Sequence, residues 1–328
     1  MPPIHVVLGA GALGQAVARA LLAEGKAVRL VSRRGSPAFR SPNQADASQG
    51  VEVFPCDLMD PSRLREAVKG ASVVFHCAQP PYPAWNELFV PMTDAILAAT
   101  SEAGAKLVFG DNLYMYGAVE GPMTEDLPYQ ATSRKGRTRA RMALTLLDAH
   151  QQGRVQVAIG RASDFYGPGV TDSYVGRSLF ASALAGKPFG ALKDLDAPHT
   201  FTFIDDFAKG LVTLSEHEEA LGKAWHVPSA PTISTREFVS MVYEQAGSPP
   251  RFQVAGRNLV AFLGLFNPMM RELKEMLYQF EAPFRMDHSR FEKAFGAAPT
   301  PHAEAIRQTL DWTRSGLDVT SAGASKAH

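Results

Sequence analysis

The stretch Ile4-His5-Val6-Val7-Leu8-Gly9-Ala10-Gly11-Ala12-Leu13-Gly14-Gln15 decides the fold. A short apolar run ends in glycines at 9, 11 and 14, and a helical pattern over residues 15–24 follows, with small residues at Ala16, Ala18 and Ala20. The first glycine permits a tight turn, the second lets backbone approach a pyrophosphate, and the third lets helix and strand pack closely. The helix N-terminus then faces the phosphates. Glycines at this spacing also occur in purely structural turns. Here a strand, a helix and a second strand flank them at the distances a βαβ unit requires, so Gly9, Gly11, Ala12, Leu13 and Gly14 are candidate ligands of a dinucleotide.

The second strand, residues 27–31, ends at Ser32-Arg33-Arg34. A site selecting NAD places an acidic residue there for the ribose diol. A serine and two arginines can instead hold a 2′-phosphate through charge-assisted hydrogen bonds. NADP(H) is therefore expected ahead of NAD(H), which stays open, because the two arginines would also suit an ordinary solvated turn.

Working outward, apolar runs at residues 4–8, 27–31, 51–55, 73–77, 106–109 and 155–159 alternate with helical patterns. That alternation predicts an α/β fold, a Rossmann-type doubly wound parallel sheet covered on both faces, with a smaller, mostly helical substrate lobe. After about residue 165 the rhythm breaks at Tyr166-Gly167-Pro168-Gly169. A helix is expected over 173–185, a strand over 200–204, a helix over 206–215 and a strand over 224–227, with mostly helix from Thr235 on. Residues 1–168 and about 200–228 are assigned to the dinucleotide-binding domain, 169–199 and 229–316 to the substrate lobe, and 317–328, small and polar, to a disordered tail.

The 328 residues carry 33 basic and 33 acidic side chains, so no overall field gathers nucleic acid or an anionic membrane. Small molecules are the expected partners. The two cysteines, Cys56 and Cys77, lie in strand-like runs, which suits buried thiols in a reducing compartment better than a disulfide. No run approaches the roughly 18 apolar residues of a membrane span, and the start lacks the features of a signal peptide. A cytoplasmic protein is expected. The histidines are scattered and neither cysteine has a Cys-x-x-Cys partner, so no metal is expected.

Further motifs extend the reading along nearly the whole chain. Cys56-Asp57-Leu58 follows the third strand, Val74-Phe75-His76-Cys77-Ala78 forms the fourth, Gly160-Arg161 precedes Tyr166-Gly167-Pro168-Gly169, and Phe203-Ile204-Asp205-Asp206-Phe207-Ala208 comes later. In this order they resemble the extended branch of the short-chain dehydrogenase/reductase superfamily, which contains nucleotide-sugar epimerases and dehydratases. Leu8 departs from the pattern by replacing that branch's first glycine. The resemblance implies that Asp57 and Leu58 lie at the adenine, that Ala78 and the adjoining Gln79 lie beside the cofactor ribose, and that a homodimer forms.

The resemblance also implies chemistry that this chain lacks. Family enzymes use a Tyr-x-x-x-Lys pair, the tyrosine as acid or base and the lysine lowering its pKa while holding the ribose, with an upstream Ser or Thr. Counting back from Tyr116-Gly117 puts Asn112 at the Ser/Thr position, and in Ser133-Arg134-Lys135-Gly136-Arg137-Thr138-Arg139 the tyrosine position holds Lys135 and the lysine position Arg139. None of the eight tyrosines is followed four residues later by lysine. Three readings compete. Lys135 polarises a carbonyl or gives a proton while Arg139 holds ribose or phosphate; Tyr114 or Asp164 supplies the proton instead; or there is no catalysis and the cations only make a basic helix start. Arg134, Arg137 and Arg141 suit a solvated face, His76 a buried hydrogen-bonded position, and His199 either a pocket or a loop.

Residues 259–280 form two apolar helical pieces broken at Asn267-Pro268, rich in methionine and aromatic residues. They suit core packing, a subunit contact, or an adaptable lid over an apolar substrate. The expected function is an NADP(H)-dependent oxidoreductase acting on a small apolar carbonyl or alcohol. The competing readings are a non-catalytic dinucleotide-binding redox sensor or scaffold, and an epimerase or isomerase with tightly held cofactor.

Overall fold

The computed structural model describes residues 3–35, 50–192, 194–255 and 275–316. Most of the methionine-rich segment, 259–274, and the tail, 317–328, lie outside the described residues. In chain order the first half runs β1 (Ile4–Leu8), α1 (Ala12–Ala23), β2 (Ala27–Ser32), β3 (Val51–Pro55), α2 (Pro61–Val68), β4 (Ala71–His76), α3 (Trp85–Glu102), β5 (Lys106–Asp111), α4 (Arg134–Gln151) and β6 (Val157–Arg161). Then come β7 (Asp164–Tyr166), α5 (Arg177–Leu184), β8 (Phe189–Leu192), β9 (Pro198–His199), β10 (Phe201–Phe203), α6 (Ile204–Glu216), β11 (Lys223–His226), β12 (Ile233–Ser234), α7 (Thr235–Ala246) and β13 (Phe252–Ala255). After the undescribed segment follow α8 (Ser289–Phe295) and α9 (His302–Arg314).

Seven strands form one sheet in the order β11-β6-β5-β4-β1-β2-β3, and every neighbouring pair is parallel. Alternation within each strand sends side chains to opposite faces. Val6 and Leu8 of β1 and Leu107 and Phe109 of β5 pack with Leu64, Phe89, Ile96, Met142 and Leu146 from α2, α3 and α4. Val7 and Val108, from the same strands, pack on the other face with Val17 and Leu21 of α1 and Phe207 and Leu211 of α6. Burial on both faces is why these strands read as near-continuous apolar runs. This is the Rossmann-type α/β architecture.

A separate core of Tyr166, Leu179, Phe180, Phe201, Phe238, Val242, Ile306 and Leu310 joins α5, α7 and α9. Its helix α7 is set by a reciprocal capping box between Ser234 and Glu237 and ends at Gly247, whose φ of +79° is the left-handed stop that glycine adopts readily. Here the expectations need correction. Within the mostly helical region after Thr235, one strand, β13, pairs in parallel with β8. The helix expected over 173–185 begins only at Arg177, since residues 173–176 close a turn through Gly176 N and Ser173 O at 3.0 Å. The strand expected over 155–159 is displaced to Val157–Arg161, and the first helix starts at Ala12 rather than Gln15.

Candidate functional site

The chain lays down β1, β2 and β3 toward one edge of the sheet and β4, β5 and β6 toward the other, so order reverses between β1 and β4. The crevice outside their carboxyl ends is where an open parallel sheet binds ligands. Gly9 stands there with φ +101°, its N–H donating to Val31 O at 3.0 Å. A Cβ on Gly9 would lie 2.7 Å from Ala78 Cα, so the end of β4 closes tightly on the glycine turn. A Cβ on Gly14 would meet Gly9 O at 1.7 Å, whereas one on Gly11, the residue before α1, would meet nothing within 4 Å. The first hydrogen bond across the turn into the helix is Gln15 N to Gly11 O, leaving the N–H groups of Ala12, Leu13 and Gly14 directed at the crevice as the orphan donors of a helix start.

Two further contacts tie this helix start to the rest of the edge. A Cβ on Gly110, near the end of β5, would lie 2.7 Å from Leu13 Cδ2, and one on Gly169 would lie 3.5 Å from Ala12 Cβ. At the end of β2, Ser32 Oγ is buried with no hydrogen-bond partner among the described residues, and Arg33 and Arg34 are exposed beside it. Asp57 is exposed, its Oδ1 taking Met59 N–H at 3.0 Å, while Leu58 is buried in the core beneath. Ala78 is half-buried and Gln79 exposed. The orphaned Ser32 hydroxyl, the two exposed arginines and a glycine cradle that a side chain would fill together fit a dinucleotide.

Helix α4 brings the substituted pair to the same edge. Ser133 Oγ caps it by accepting Gly136 N–H at 3.1 Å, and Gly136 packs so closely that a Cβ there would lie 2.5 Å from Tyr114 O. Lys135 is 0% exposed, with its Nζ 4.3 Å from the centroid of the Tyr82 ring, and its backbone N–H donates to Glu275 Oε1 at 3.0 Å. One turn on, the Arg139 guanidinium carbon sits 4.4 Å from the ring centroids of both Trp85 and Phe89. Its Nη1 donates to Asp111 Oδ1 at 3.2 Å, and Asp111 Oδ2 lies 3.4 Å from Nε of Arg161. Burial pushes the Asp111 carboxyl up, and the two guanidinium groups oppose that shift. Arg161 continues the network to the hydroxyls of Tyr116, at 2.6 Å, and Tyr129.

Asn112 Oδ1 accepts the N–H of Tyr114 at 3.1 Å and so shapes the turn that presents that tyrosine. The Tyr114 hydroxyl is bonded with Gln279 and Tyr82, and burial, then the charge of Asp164, push its pKa up. Tyr278 is likewise pushed up by burial, then by the charges of Tyr114, Asp164 and Glu275, and its hydroxyl is buried without a partner among the described residues. Asp164 Oδ2 lies 2.8 Å from Nε2 of His199. The His199 ring is stacked 5.4 Å from Phe280 at an interplanar angle of 5°, with Phe201 and Phe284 also against it.

Lys135 and Tyr114 thus meet at Tyr82, and the charge of Asp164 acts on Tyr114 and Tyr278. His199, which the sequence left between a pocket and a loop, holds Asp164, and Tyr278 and Gln279 are site residues that sequence reasoning did not reach. His199 belongs to β9 rather than a loop, and it reaches Asp164 because β10 pairs with β7 in the register Phe201 to Asp164. No local pattern announces a partner 35 residues away. His76, expected to be a buried hydrogen-bonded residue, is 0% exposed with Nε2 3.2 Å from Thr93 Oγ1.

Comparison with known proteins adds the following. The model of the NAD dependent epimerase/dehydratase family matches residues 5–227. The chain is similar to a bovine sterol-4-alpha-carboxylate 3-dehydrogenase, decarboxylating, with 30% identity over 72% of this chain and 68% of that protein. It is similar to a 2-alkyl-3-oxoalkanoate reductase of Stenotrophomonas maltophilia, with 27% identity over 75% of this chain and 76% of that one. Among solved structures, a dTDP-glucose 4,6-dehydratase from Streptomyces venezuelae with NAD bound superposes with a TM-score of 0.78 at 20% identity, covering 95% of this chain and 97% of that one. An epimerase from Methanothermobacter thermautotrophicus gives 0.79 at 17%, covering 96% and 93%.

Proposed function

The chain belongs to the NAD dependent epimerase/dehydratase family, within the extended short-chain dehydrogenase/reductases, and from that premise we propose that it is an NADP(H)-dependent oxidoreductase of a small, apolar carbonyl or alcohol compound. The observation that carries this reading is the start of α1, which touches both the end of β5 through Leu13 and the turn after β7 through Ala12. Tyr114 and Asp164 follow and precede those two contacts by a few residues, so the phosphate cradle and the cluster of proton-bearing groups share one crevice.

The backbone N–H groups of Ala12, Leu13 and Gly14 hold the pyrophosphate, with Gly9 and Gly11 keeping the approach open. Ser32, Arg33 and Arg34 hold the 2′-phosphate, Asp57 and Leu58 the adenine, and Ala78 and Gln79 the ribose. The bound nicotinamide supplies or accepts hydride. Lys135 puts a positive charge behind Tyr82 where family enzymes carry their tyrosine, and Asn112 fixes the turn that aims Tyr114. Arg139, at the lysine position, acts through Asp111, whose carboxylate it shares with Arg161. Apolar substrates are favoured because the pocket groups are framed by the rings of Tyr82, Trp85 and Phe280. The named relatives act on a sterol carboxylate and on 2-alkyl-3-oxoalkanoates, both largely hydrocarbon.

The complete burial of Lys135 is what a second reading would use, a protein that binds the dinucleotide without turning it over. Parallel titration of cofactor-free protein with NADPH and NADH, followed by nicotinamide fluorescence, tests the first step. NADPH is expected to bind at least about tenfold tighter, about 1.4 kcal/mol, and Arg33→Asp/Arg34→Ala to erase that gap. A screen of alicyclic ketones and 2-alkyl-3-oxoalkanoates for NADPH oxidation then separates enzyme from sensor. If neither nucleotide binds at micromolar concentration, the oxidoreductase reading falls.

A further inference from the structure

We propose that Asp164, held by His199, gives and takes the proton of the redox step in place of the tyrosine this chain lacks. The inference deepens the oxidoreductase reading and rests on it.

The pair is built, not incidental. Asp164 Oδ2 and His199 Nε2 are 2.8 Å apart, and the imidazole is fixed between the rings of Phe201, Phe280 and Phe284. The His199 side chain is 3% exposed and that of Asp164 15%, so the carboxyl meets a ligand in the crevice and the imidazole acts through it. His199 is therefore a positioning residue and Asp164 the group that touches substrate.

The other proton-bearing groups of the pocket are poorly suited to the exchange. Tyr114, which follows β5, and Tyr278, from the segment ahead of α8, both face Asp164 and are held protonated by burial first. Each can donate a hydrogen bond to a substrate oxygen without parting with its proton. Lys135 is sealed above the Tyr82 ring with no exposed surface. Among the described residues, further charges acting on the two tyrosines are Arg139, from α4, on Tyr114 and Glu275 on Tyr278. In the reducing direction the pair enters the step carrying one proton, shared across the 2.8 Å contact between Asp164 Oδ2 and His199 Nε2.

The step balances on that proton. As hydride reaches the carbonyl carbon, the π pair of the C=O bond moves onto oxygen. That oxygen takes the proton from Asp164, and the pair is left as neutral imidazole and carboxylate. Alcohol oxidation runs the same transfer backward.

Because a positive charge nearby disfavours a bound proton, oxidised cofactor should expel it where reduced cofactor does not. The test is calorimetric titration of the full chain with NADP+ and with NADPH at pH 7, in phosphate and in Tris, whose ionisation enthalpies differ. Wild type is expected to release measurably more protons with NADP+ than with NADPH. Asp164→Asn and His199→Gln are expected to lose that difference while affinity stays within about threefold. Asp164→Asn, which keeps the shape of the side chain, decides the matter if His199→Gln does not fold. Equal release with both nucleotides in wild type, or an unchanged difference in Asp164→Asn, overturns the proposal and leaves the oxidoreductase reading standing. Failure of wild type to bind either nucleotide overturns both.

Discussion

Buried imidazoles make the acid stability of this protein readable. His76 lies between Phe89 and Phe109, with ring centroids 6.1 and 4.8 Å away, and burial, helped by the charge of Arg139, lowers its pKa to about 3. His226 is also lowered to about 3, by burial and then by Arg161. The unfolded chain, with histidines near about 6.5, takes up those protons first as pH falls. The stability that depends on neutral imidazoles is therefore fully present above about pH 6.5 and declines toward pH 3, by about 1.4 kcal/mol per pH unit for each histidine. Between pH 7 and pH 5 the two together are expected to cost about 4 kcal/mol, read from urea midpoints. His76→Phe should remove about half of that dependence, and an unchanged pH slope in the variant would show that His76 is not its source.

At the scale of elements, α4 is joined to the sheet through charge as well as packing. Arg139 of α4 and Arg161 of β6 meet on Asp111 at the end of β5, and each of the three is almost wholly enclosed. Removing the carboxylate leaves two guanidinium groups buried without compensation, so Asp111→Ala is expected to cost about 3–5 kcal/mol in chemical denaturation. A loss below about 1 kcal/mol would mean that water reaches the arginines. The strands β1 to β6 are legible in sequence to within two residues at each end because burial on both faces leaves them as unbroken apolar runs. The pairs β8 with β13 and β9 with β12 are not, since strands of two to four residues carry no period and their partners lie far along the chain. The same limit hides the site. Gly9, Ser32 and Lys135 are reached by counting from a motif, whereas His199 and Gln279 become neighbours of Asp164 and Tyr114 through tertiary pairing alone.

Taken whole, the molecule surrounds its crevice with parts drawn from distant positions, and a ligand bound there should hold them together. With NADPH at about 100 times its dissociation constant, the folded state is expected to gain about 2.7 kcal/mol, seen as a rise in Tm that NADH at equal concentration does not match. Equal shifts with both nucleotides would remove the role given to Ser32, Arg33 and Arg34. Among the described residues, no helix is long and apolar enough to cross a membrane. The late segment around residues 275–287 is pinned across the whole edge: Glu275 on Lys135, Phe284 on Thr200 and Pro198, and Arg285 and Asp287 on Met123. A chain emerging from the ribosome folds its N-terminal parts first. The strand ends at Gly9, Ser32 and Ala78 are therefore translated well before the wall formed by Gln279 and Phe280, so the glycine turn can take shape before the aromatic side of the crevice exists.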